Sequence, residues 1–299
     1  MLPTLRGIAR EVSGAVTVGD ALAMNGMDWG VEKRQSFFML DNGTPSPMPS
    51  SFATVRSDNE AMLGRVGGDY VAMKNSDALQ HVDALLASGI ATLDSVFELK
   101  GGKQVGASLR LSEKIAIGGE DPVDLYIVVT TSHDGTRATR TQITPIRLWC
   151  TNQLALVSRT AKQSWSVRHL STMAENLKLV EEELKLITDY SNWLKKSGEK
   201  LIQDTLTEIE LKAVTLRALD FMPDDSRKEK IVEGVVSVFS ASPLIGDEYK
   251  GTAWGGLNAV TEYFDHHRDY RSATARYNSI TNGVGARMRN TVSELLLTR

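Results

Sequence analysis

Two short stretches bring histidine and aspartate together, and these residue types bind the metal ions of many hydrolases. His133 precedes Asp134, and Asp265 precedes a pair of histidines. A catalytic metal needs three or four convergent ligands, so a metal-dependent nuclease or phosphohydrolase around His133 and Asp134 would need distant residues as well. The histidines that could supply such a site, if the fold brought them together, are His133, His169, His266 and His267.

The alternative for His133 and Asp134 is structural. Ser132, His133, Asp134 and Gly135 form a turn tetrapeptide in which the aspartate can bond to its own backbone. The sequence contains no GxSxG elbow, no HExxH pair and no glycine-rich phosphate loop. Cys150, the single cysteine, is best explained as a small buried residue beside a strand end. We therefore predict no catalytic residue, no metal and no cofactor, and an enzymatic activity is left open as the less favoured alternative.

The strongest chemical signal is an excess of basic residues in the middle of the chain. Residues 129–170 contain six basic residues and one acidic residue, although the whole chain carries a net charge of −3. Residues 174–248 contain sixteen acidic and ten basic residues. A phosphate-rich partner should therefore bind the middle of the chain. The residues predicted to contact phosphates are Arg110, Arg137, Arg140, Arg147, Arg159, Lys162 and Arg168.

Two tryptophans lie among these basic residues and favour a single-stranded ligand. Bases can stack on the rings of Trp149 and Trp165 while the cationic side chains follow the phosphates. The alternative is that both rings belong to the core and that acidic residues of the following helix neutralise the basic ones. The sequence does not show whether the basic residues share one surface.

Many of these candidate residues lie on or beside predicted strands. Residues 95–99 and 103–111 alternate apolar and polar side chains and are joined by a turn that contains two glycines. Residues 124–131 and 138–144 flank the turn at Asp134 and form a second hairpin. Two consecutive hairpins predict an antiparallel meander of at least four strands.

The flanking segments are also predicted from local residue types. Pro145 should end or distort the last strand because it lacks an N–H group, and Asn152 should cap a helix that carries Arg159 and Lys162. Short extended pieces between residues 52 and 74 predict a second, smaller sheet, and the composition of residues 41–51 predicts a loop.

The second half of the chain is predicted to be helical, because apolar residues recur there at spacings of three and four. The fold class is therefore α+β: an N-terminal antiparallel β-meander with helices, followed by a mostly helical C-terminal region. We place an α+β core domain with a basic hairpin and helix surface at residues 1–170 and the helical region at residues 171–299. The predicted helices, including one upstream of the meander, cover residues 77–88, 174–196, 205–219, 226–241, 253–269 and 283–298.

The composition is that of a soluble globular protein. The chain has 299 residues, of which 41% are hydrophobic and 24% charged. No apolar stretch approaches the roughly 20 residues that a membrane span needs, and the N-terminus lacks the pattern of a secretory signal. A single cysteine excludes an internal disulfide. These observations predict a cytoplasmic protein with no membrane contact; the resemblance described next implies that the host cell is bacterial.

Several long motifs resemble a phage and plasmid protein family catalogued as domain of unknown function 932. The resemblance covers nearly the whole chain and implies a role in DNA transactions of mobile elements, with no settled enzymatic activity. The motifs that carry it are MDWGVEKR (27–34), VRSDNEAMLGRVGGDYVAMKN (55–75), TTSHDGTRATRTQITPIRLWCTNQL (130–154), SVRHLSTMAENL (166–177) and GTAWGGLNAVTEYFDHHRDYR (251–271).

A second resemblance concerns architecture alone. A β-hairpin meander that is followed by a helix and lined with basic residues is similar to the core of single-strand annealing proteins such as the RecT and Red-beta group. Those proteins form rings or helical filaments that hold single-stranded DNA in a basic groove, although they usually carry a clearer basic excess than this chain. No sequence motif matches them, so this resemblance is one of fold.

These observations give three hypotheses about function. The leading one is a non-enzymatic protein of a phage, prophage or plasmid that binds and anneals single-stranded DNA in recombination, acting as a homo-oligomeric ring or filament. The second is the metal-dependent nuclease or phosphohydrolase around His133 and Asp134. The third is an interaction protein that counters a host defence, for which the acidic helical half would mimic DNA.

Overall fold

The computed structural model describes residues 5–119, 121–147, 152–153, 164–184 and 187–299; for Arg147, Asn152, Gln153, Ile187 and Thr188 it describes the backbone only. These residues form two antiparallel sheets that are followed by a mostly helical region. The predicted α+β class, with its N-terminal sheets and helical C-terminal region, is confirmed.

The larger sheet contains the predicted meander. Four consecutive strands, β5 to β8, are neighbours in the order β5-β6-β7-β8, with β1 added at one edge and β9 and β10 along β8. The turn between β5 and β6 places Lys100, Gly101 and Gly102 at positive φ, as a tight hairpin requires. The strands are β1 (Ala9–Arg10), β5 (Ala91–Leu99), β6 (Gln104–Ile117), β7 (Asp121–Ser132), β8 (Thr139–Arg147), β9 (Asn152–Gln153) and β10 (Ser164–Val167).

Pro145 neither ends nor distorts β8, and that prediction was wrong. The strand continues to Arg147 and keeps its register with β7, in which Leu125 pairs with Pro145. On its other side, β8 pairs with β10 only up to Gln142 and with β9 from Ile146 onward. Among the described residues, Pro145 therefore pairs with neither β9 nor β10 on that side.

The smaller sheet has the order β2-β3-β4 and confirms the predicted second β layer. Its strands are β2 (Val31–Met39), β3 (Pro45–Arg56) and β4 (Met62–Val66). The loop predicted at 41–51 was wrong from residue 45 onward, because β3 begins at Pro45. The extended piece at 70–74 is not a strand. Proline and serine suggested a loop, but these prolines occupy positions whose backbone nitrogen is not needed for pairing with β2.

The helices follow the predicted order with several differences. The helices at Val18–Met24 and Ala273–Asn282 were not predicted, and the helix predicted at 253–269 is an α-helix to Glu262 and a π-helix over Tyr263–His267. The helix predicted at 77–88 is divided by a 3₁₀ turn at Gln80–Val82, and the helix predicted at 174–196 corresponds to two helices. Asn152 lies in β9 rather than at a helix start, and residues 154–163 lie outside the described residues. The helices are α1 (Val18–Met24), α2 (Asn75–Leu79), α3 (Asp83–Ala87), α4 (Met173–Leu184), α5 (Ile187–Gln203), α6 (Glu208–Ala218), α7 (Asp225–Ala241), α8 (Ala253–Glu262), α9 (Ala273–Asn282) and α10 (Val284–Leu297).

The larger sheet is covered on both faces. On one face, side chains such as Leu109 and Ile127 belong to a single buried cluster that also contains Leu184 and Leu194 of the helical region. On the other face, a smaller buried cluster joins the sheet to the N-terminal segment and to α9; its members are Leu5, Phe97, Leu99, Tyr126, Ile146 and Tyr277. None of the helices in the described ranges combines the length and apolar character that a membrane span requires.

The two sheets meet at the turn between β7 and β8. The Thr54 hydroxyl donates to the His133 carbonyl oxygen at 2.6 Å, and the Tyr70 hydroxyl donates to the Ser132 carbonyl oxygen at 3.0 Å. A Cβ atom built on Gly64 of β4 would lie only 2.4 Å from the Cα of Asp134. A glycine is therefore required where the smaller sheet contacts the turn.

We expect Gly64→Ala to lower the free energy of unfolding by about 1–3 kcal/mol, because the added methyl group forces two backbones apart. Gly67→Ala is the matched control, since a Cβ atom at Gly67 meets no atom within 4 Å. Urea unfolding of both variants measures the difference. Equal stability of the two variants would contradict this account of the contact between the sheets.

Candidate nucleic-acid interface

A polar groove of about 560 Å³ lies on the face of the larger sheet that carries α9. Alternate residues of β7 and β8 form its floor, because side chains on a strand point to opposite faces in turn. β10 contributes two serines, and α9 forms one wall. The lining residues are Val128, Thr130, Arg137, Ala138, Arg140, Gln142, Thr144, Ser164, Ser166, Tyr277, Thr281 and Asn282.

Two arginines supply the charge of this groove. Arg140 is partly buried on β8, where its Nη1 donates to Asn282 Oδ1 at 2.9 Å and its Nε donates to Ser164 Oγ at 3.1 Å. Arg137 lies exposed just before β8. Both partners of Arg140 are neutral, and no aspartate or glutamate lines the groove among the described residues. The two guanidinium groups therefore lack a counterion within the groove.

The electrostatic environment of Arg140 favours an anion. Burial lowers the pKa of Arg140; Tyr277 acts in the opposite direction, and the nearby positive charge of Arg137 lowers the pKa again. An arginine remains charged in proteins despite such shifts, so the cost of desolvation and of repulsion between the two cations is relieved when a negative group binds. Planar guanidinium groups bind phosphate oxygens with paired hydrogen bonds.

Tyr277 fixes the α9 wall to the sheet. Its side chain is buried, and its ring centroid lies 5.4 Å from that of Phe97 on β5. Burial raises the pKa of the Tyr277 hydroxyl, although Arg137 and Arg140 act in the opposite direction. Ser272 begins the helix by accepting a hydrogen bond from the backbone of Ala275 at 3.1 Å. The groove is therefore bounded on one side by an anchored helix.

The structure gives the other predicted site residues different surroundings. Arg110 forms an ion pair with Asp124, whose side chain is 2% exposed. Trp165 is buried and donates its indole N–H to Glu183. Arg168 is exposed one residue after β10. Arg147 has only its backbone described, and three predicted residues lie outside the described residues: Trp149, Arg159 and Lys162.

The groove contains residues that sequence reasoning missed. Gln142 and Thr144 contribute neutral hydrogen-bonding groups from β8, and Asn282 and Thr281 do so from α9. The strand sequence TRTQIT places a polar side chain at nearly every position, which is unusual for a strand with neighbours on both sides. That pattern could have indicated a polar surface on the face of the larger sheet that carries α9. The sequence of α9 contains no similar pattern that would have indicated its contribution to the groove.

His133 and Asp134 form the structural turn that was the alternative to a metal site. His133 is fully buried, and its Nε2 atom lies 2.6 Å from Asn75 Oδ1. The Asp134 carboxylate accepts hydrogen bonds from Ser132 and Thr136. Burial opposes ionisation of Asp134, but these hydrogen bonds outweigh it and lower the pKa of the carboxyl group. One carboxylate oxygen, Oδ1, thus accepts all three hydrogen bonds within the turn.

The described residues include no group of three or more histidine, cysteine, aspartate or glutamate side chains that could hold a metal ion. The ring centroids of His133 and His169 are 6.5 Å apart, but His169 contacts the hydroxyls of Thr131 and Thr139. His267 contacts Glu262 at 3.0 Å. The histidines considered for a shared site therefore have separate partners.

Residues 62–281 match a family model described as Domain of unknown function (DUF932). The chain belongs to this family. The matched segment extends from β4 into α9, and it contains every lining residue of the groove except Asn282. The comparisons with curated proteins and with solved structures gave no match. The groove is thus formed almost entirely by the DUF932 segment.

Three buried histidines make the DUF932 fold sensitive to acid. Burial lowers the pKa of His81 to about 4 and that of His133 to about 3, and it also lowers the pKa of His169. In an unfolded chain these groups would titrate near pH 6.5. Below that pH the unfolded chain binds more protons than the folded protein, so stability is complete above pH 6.5 and is lost as the pH falls.

We expect His81 and His133 each to cost about 2 kcal/mol of stability at pH 5, which is about 1.5 units below the unfolded pKa. His81→Gln should reduce the difference in unfolding free energy between pH 7 and pH 5 by roughly that amount. Urea unfolding at the two pH values measures it. The control is His266→Gln at an exposed position, and an identical pH response in both variants would contradict the assignment.

Proposed function

We propose that this DUF932 protein binds single-stranded DNA by holding backbone phosphates in the groove between the larger sheet and α9. The observation that supports this most directly is the placement of Arg137 and Arg140 in a groove that is otherwise lined by neutral side chains, most of them polar. Phosphate contacts from arginine, serine, threonine and asparagine side chains dominate protein–DNA hydrogen bonding. All four residue types line this groove.

The shape of the groove favours one strand over a duplex. Its volume of about 560 Å³ lies in the range of pockets that bind small molecules, so it accommodates a short length of sugar–phosphate backbone. Double-stranded DNA is recognised by helices or ribbons that enter its grooves, whereas this surface is concave. The arginine that is held in place, Arg140, would position a phosphate, and the exposed Arg137 would contact the neighbouring one.

The proposed activity is annealing without catalysis. Strands can anneal when a protein holds their backbones and leaves the base edges accessible, which requires no nucleotide cofactor and no metal. Trp165 is not part of this proposal, because its ring is buried. We include the assembly into homo-oligomers and the role in recombination of mobile elements, both of which are implied by the resemblances described above.

We expect the double variant Arg137→Glu, Arg140→Gln to bind a fluorescent oligonucleotide of about 30 nucleotides at least tenfold more weakly, because two phosphate contacts are lost. The logarithmic salt dependence should become shallower by about 1.4, since each contact to a single strand contributes about 0.7. Fluorescence anisotropy at several salt concentrations measures both quantities, and the melting temperature should change little.

Arg227→Glu is the matched control for the DNA-binding prediction. Arg227 is an exposed arginine near the start of α7 and does not line the groove, so its charge reversal should leave affinity nearly unchanged. A wild-type protein whose binding does not respond to salt, or a groove variant that binds like wild type, would rule out the proposed interface.

We expect the wild-type protein to leave a labelled single strand intact in the presence of Mg²⁺ or Mn²⁺, because Asp134 Oδ1 already accepts three hydrogen bonds within its turn and the described residues bring no group of three metal ligands together. Gel electrophoresis after prolonged incubation tests this. Cleavage that requires metal and is lost in a folded His133→Ala variant would instead support the nuclease hypothesis.

A further inference from the structure

The hairpin of β2 and β3 extends beyond the rest of the smaller sheet. β4 pairs with β3 only between Phe52 and Val55, so residues 36–50 pair with each other alone; we call this segment the arm. Four consecutive apolar side chains near its tip are exposed, by 57%, 46%, 64% and 42% of their surface: Phe37, Phe38, Met39 and Leu40. Because successive strand residues point to opposite faces, Phe37 and Met39 lie on one face of the arm and Phe38 on the other. Exposed apolar side chains grouped in this way are typical of an interaction site.

The two edges of the arm differ in their capacity to pair with another strand. The N–H of Leu40 donates to the carbonyl oxygen of Thr44 at 2.9 Å. Because hydrogen-bonded and non-hydrogen-bonded pairs alternate, Phe37 and Met39, which pair with Pro47 and Pro45, are non-hydrogen-bonded pairs. The backbone nitrogens of both prolines therefore point away from β2.

The β3 edge of the arm is closed by this arrangement. Pro45 and Pro47 present no N–H group at the positions where an added strand would need one. On the other edge, the N–H and carbonyl groups of Phe37 and Met39 point outward, and no described residue pairs with this side of β2. An incoming strand can therefore extend the ladder only at β2.

We propose that the arm of one copy pairs with the arm of a second copy, β2 antiparallel to β2, about a two-fold axis at Phe37. A two-fold contact uses the same surface on both molecules, and each arm supplies both the open edge and the exposed apolar side chains. In this register Phe37 faces Phe37 of the other copy, and Met39 faces Gln35.

Charge complementarity supports this register and a second copy as the occupant. Asp41 is the single charged residue of the arm. It lies in the turn that follows β2, and pairing about Phe37 brings this turn toward the end of the other β2 that carries Lys33. The Lys33 ammonium donates to the carbonyl oxygens of Gly68 and Tyr70, and no ion pair joins it to a carboxylate among the described residues. An anionic membrane is a poorer partner, because the arm contains an acidic residue and no basic one.

The size of the contact indicates a reversible dimer. The arm contributes about 15 residues from each copy, fewer than the 20–30 per side of a standard interface. The dimer should therefore form with increasing protein concentration. It requires no DNA and is independent of the groove, so a failure of this proposal leaves the proposed binding of single-stranded DNA by the groove untouched.

Sedimentation equilibrium over a concentration series, without DNA, tests the proposal. The wild-type protein should approach twice the monomer mass, whereas Phe37→Lys, Met39→Lys should remain monomeric with an unchanged melting temperature. Leu179→Lys, Ile209→Lys is the matched control, since both residues are exposed and apolar but lie on α4 and α6. A wild-type protein that stays monomeric would overturn the proposal, also if it binds phosphatidylcholine vesicles instead. An arm variant that still forms dimers would overturn it as well.

The register is tested by a disulfide across the axis. In a Cys150→Ser background, which removes the single native cysteine, Phe37→Cys should form a covalent dimer on mild oxidation. Opposed residues of a hydrogen-bonded antiparallel pair have Cα atoms about 5.5 Å apart, within the range that a disulfide spans. Thr44→Cys, at the tip of the same arm, should crosslink far more slowly; equal crosslinking at both positions would overturn the register.

Discussion

The close contact between the two sheets at the β7–β8 turn is the constraint on which the rest of the structure depends. The turn is held from three sides, by Thr54, by Tyr70 and by the backbone of β4 at Gly64. The carbonyl oxygens of Ser132 and His133 accept hydrogen bonds across the contact, which offsets the cost of burying these peptide groups. This turn also leads directly into the part of β8 that carries the groove arginines, so the same contact orients the candidate site.

The groove results from incomplete coverage of an otherwise buried sheet. On the face of the larger sheet that carries α9, the packing is apolar near Phe97 and Tyr126 and becomes polar toward β8 and β10. This change leaves the Arg140 guanidinium partly desolvated, and its hydrogen-bond partners among the described residues are neutral. A site that keeps an uncompensated charge at some expense to the folded state is typical of ligand binding rather than of packing.

The sequence predicted the meander because its signal is local: alternation and turn residues act over a few positions. α9 was missed because Thr274, Asn278 and Thr281 are poor helix formers, and the helix depends on packing of Tyr277 and on its N-cap. Arg137 and Arg140 were predicted from charge alone. The pairing of Arg110 with Asp124 depends on cross-strand placement, which charge counting ignores. The burial of Trp165 could have been anticipated, because Trp165 and Val167 alternate with Ser164 and Ser166 along β10 and so share one apolar face.

The placement of prolines in β3 has a consequence for how assemblies of this chain can grow. A sheet that polymerises without limit, as amyloid does, needs two open edges in every unit. The arm offers one, since Pro45 and Pro47 close the other. In the language of polymer chemistry the arm is monovalent and acts as a chain terminator, so strand addition through it stops at a pair. Any longer ring or filament must be built on a different surface of the molecule.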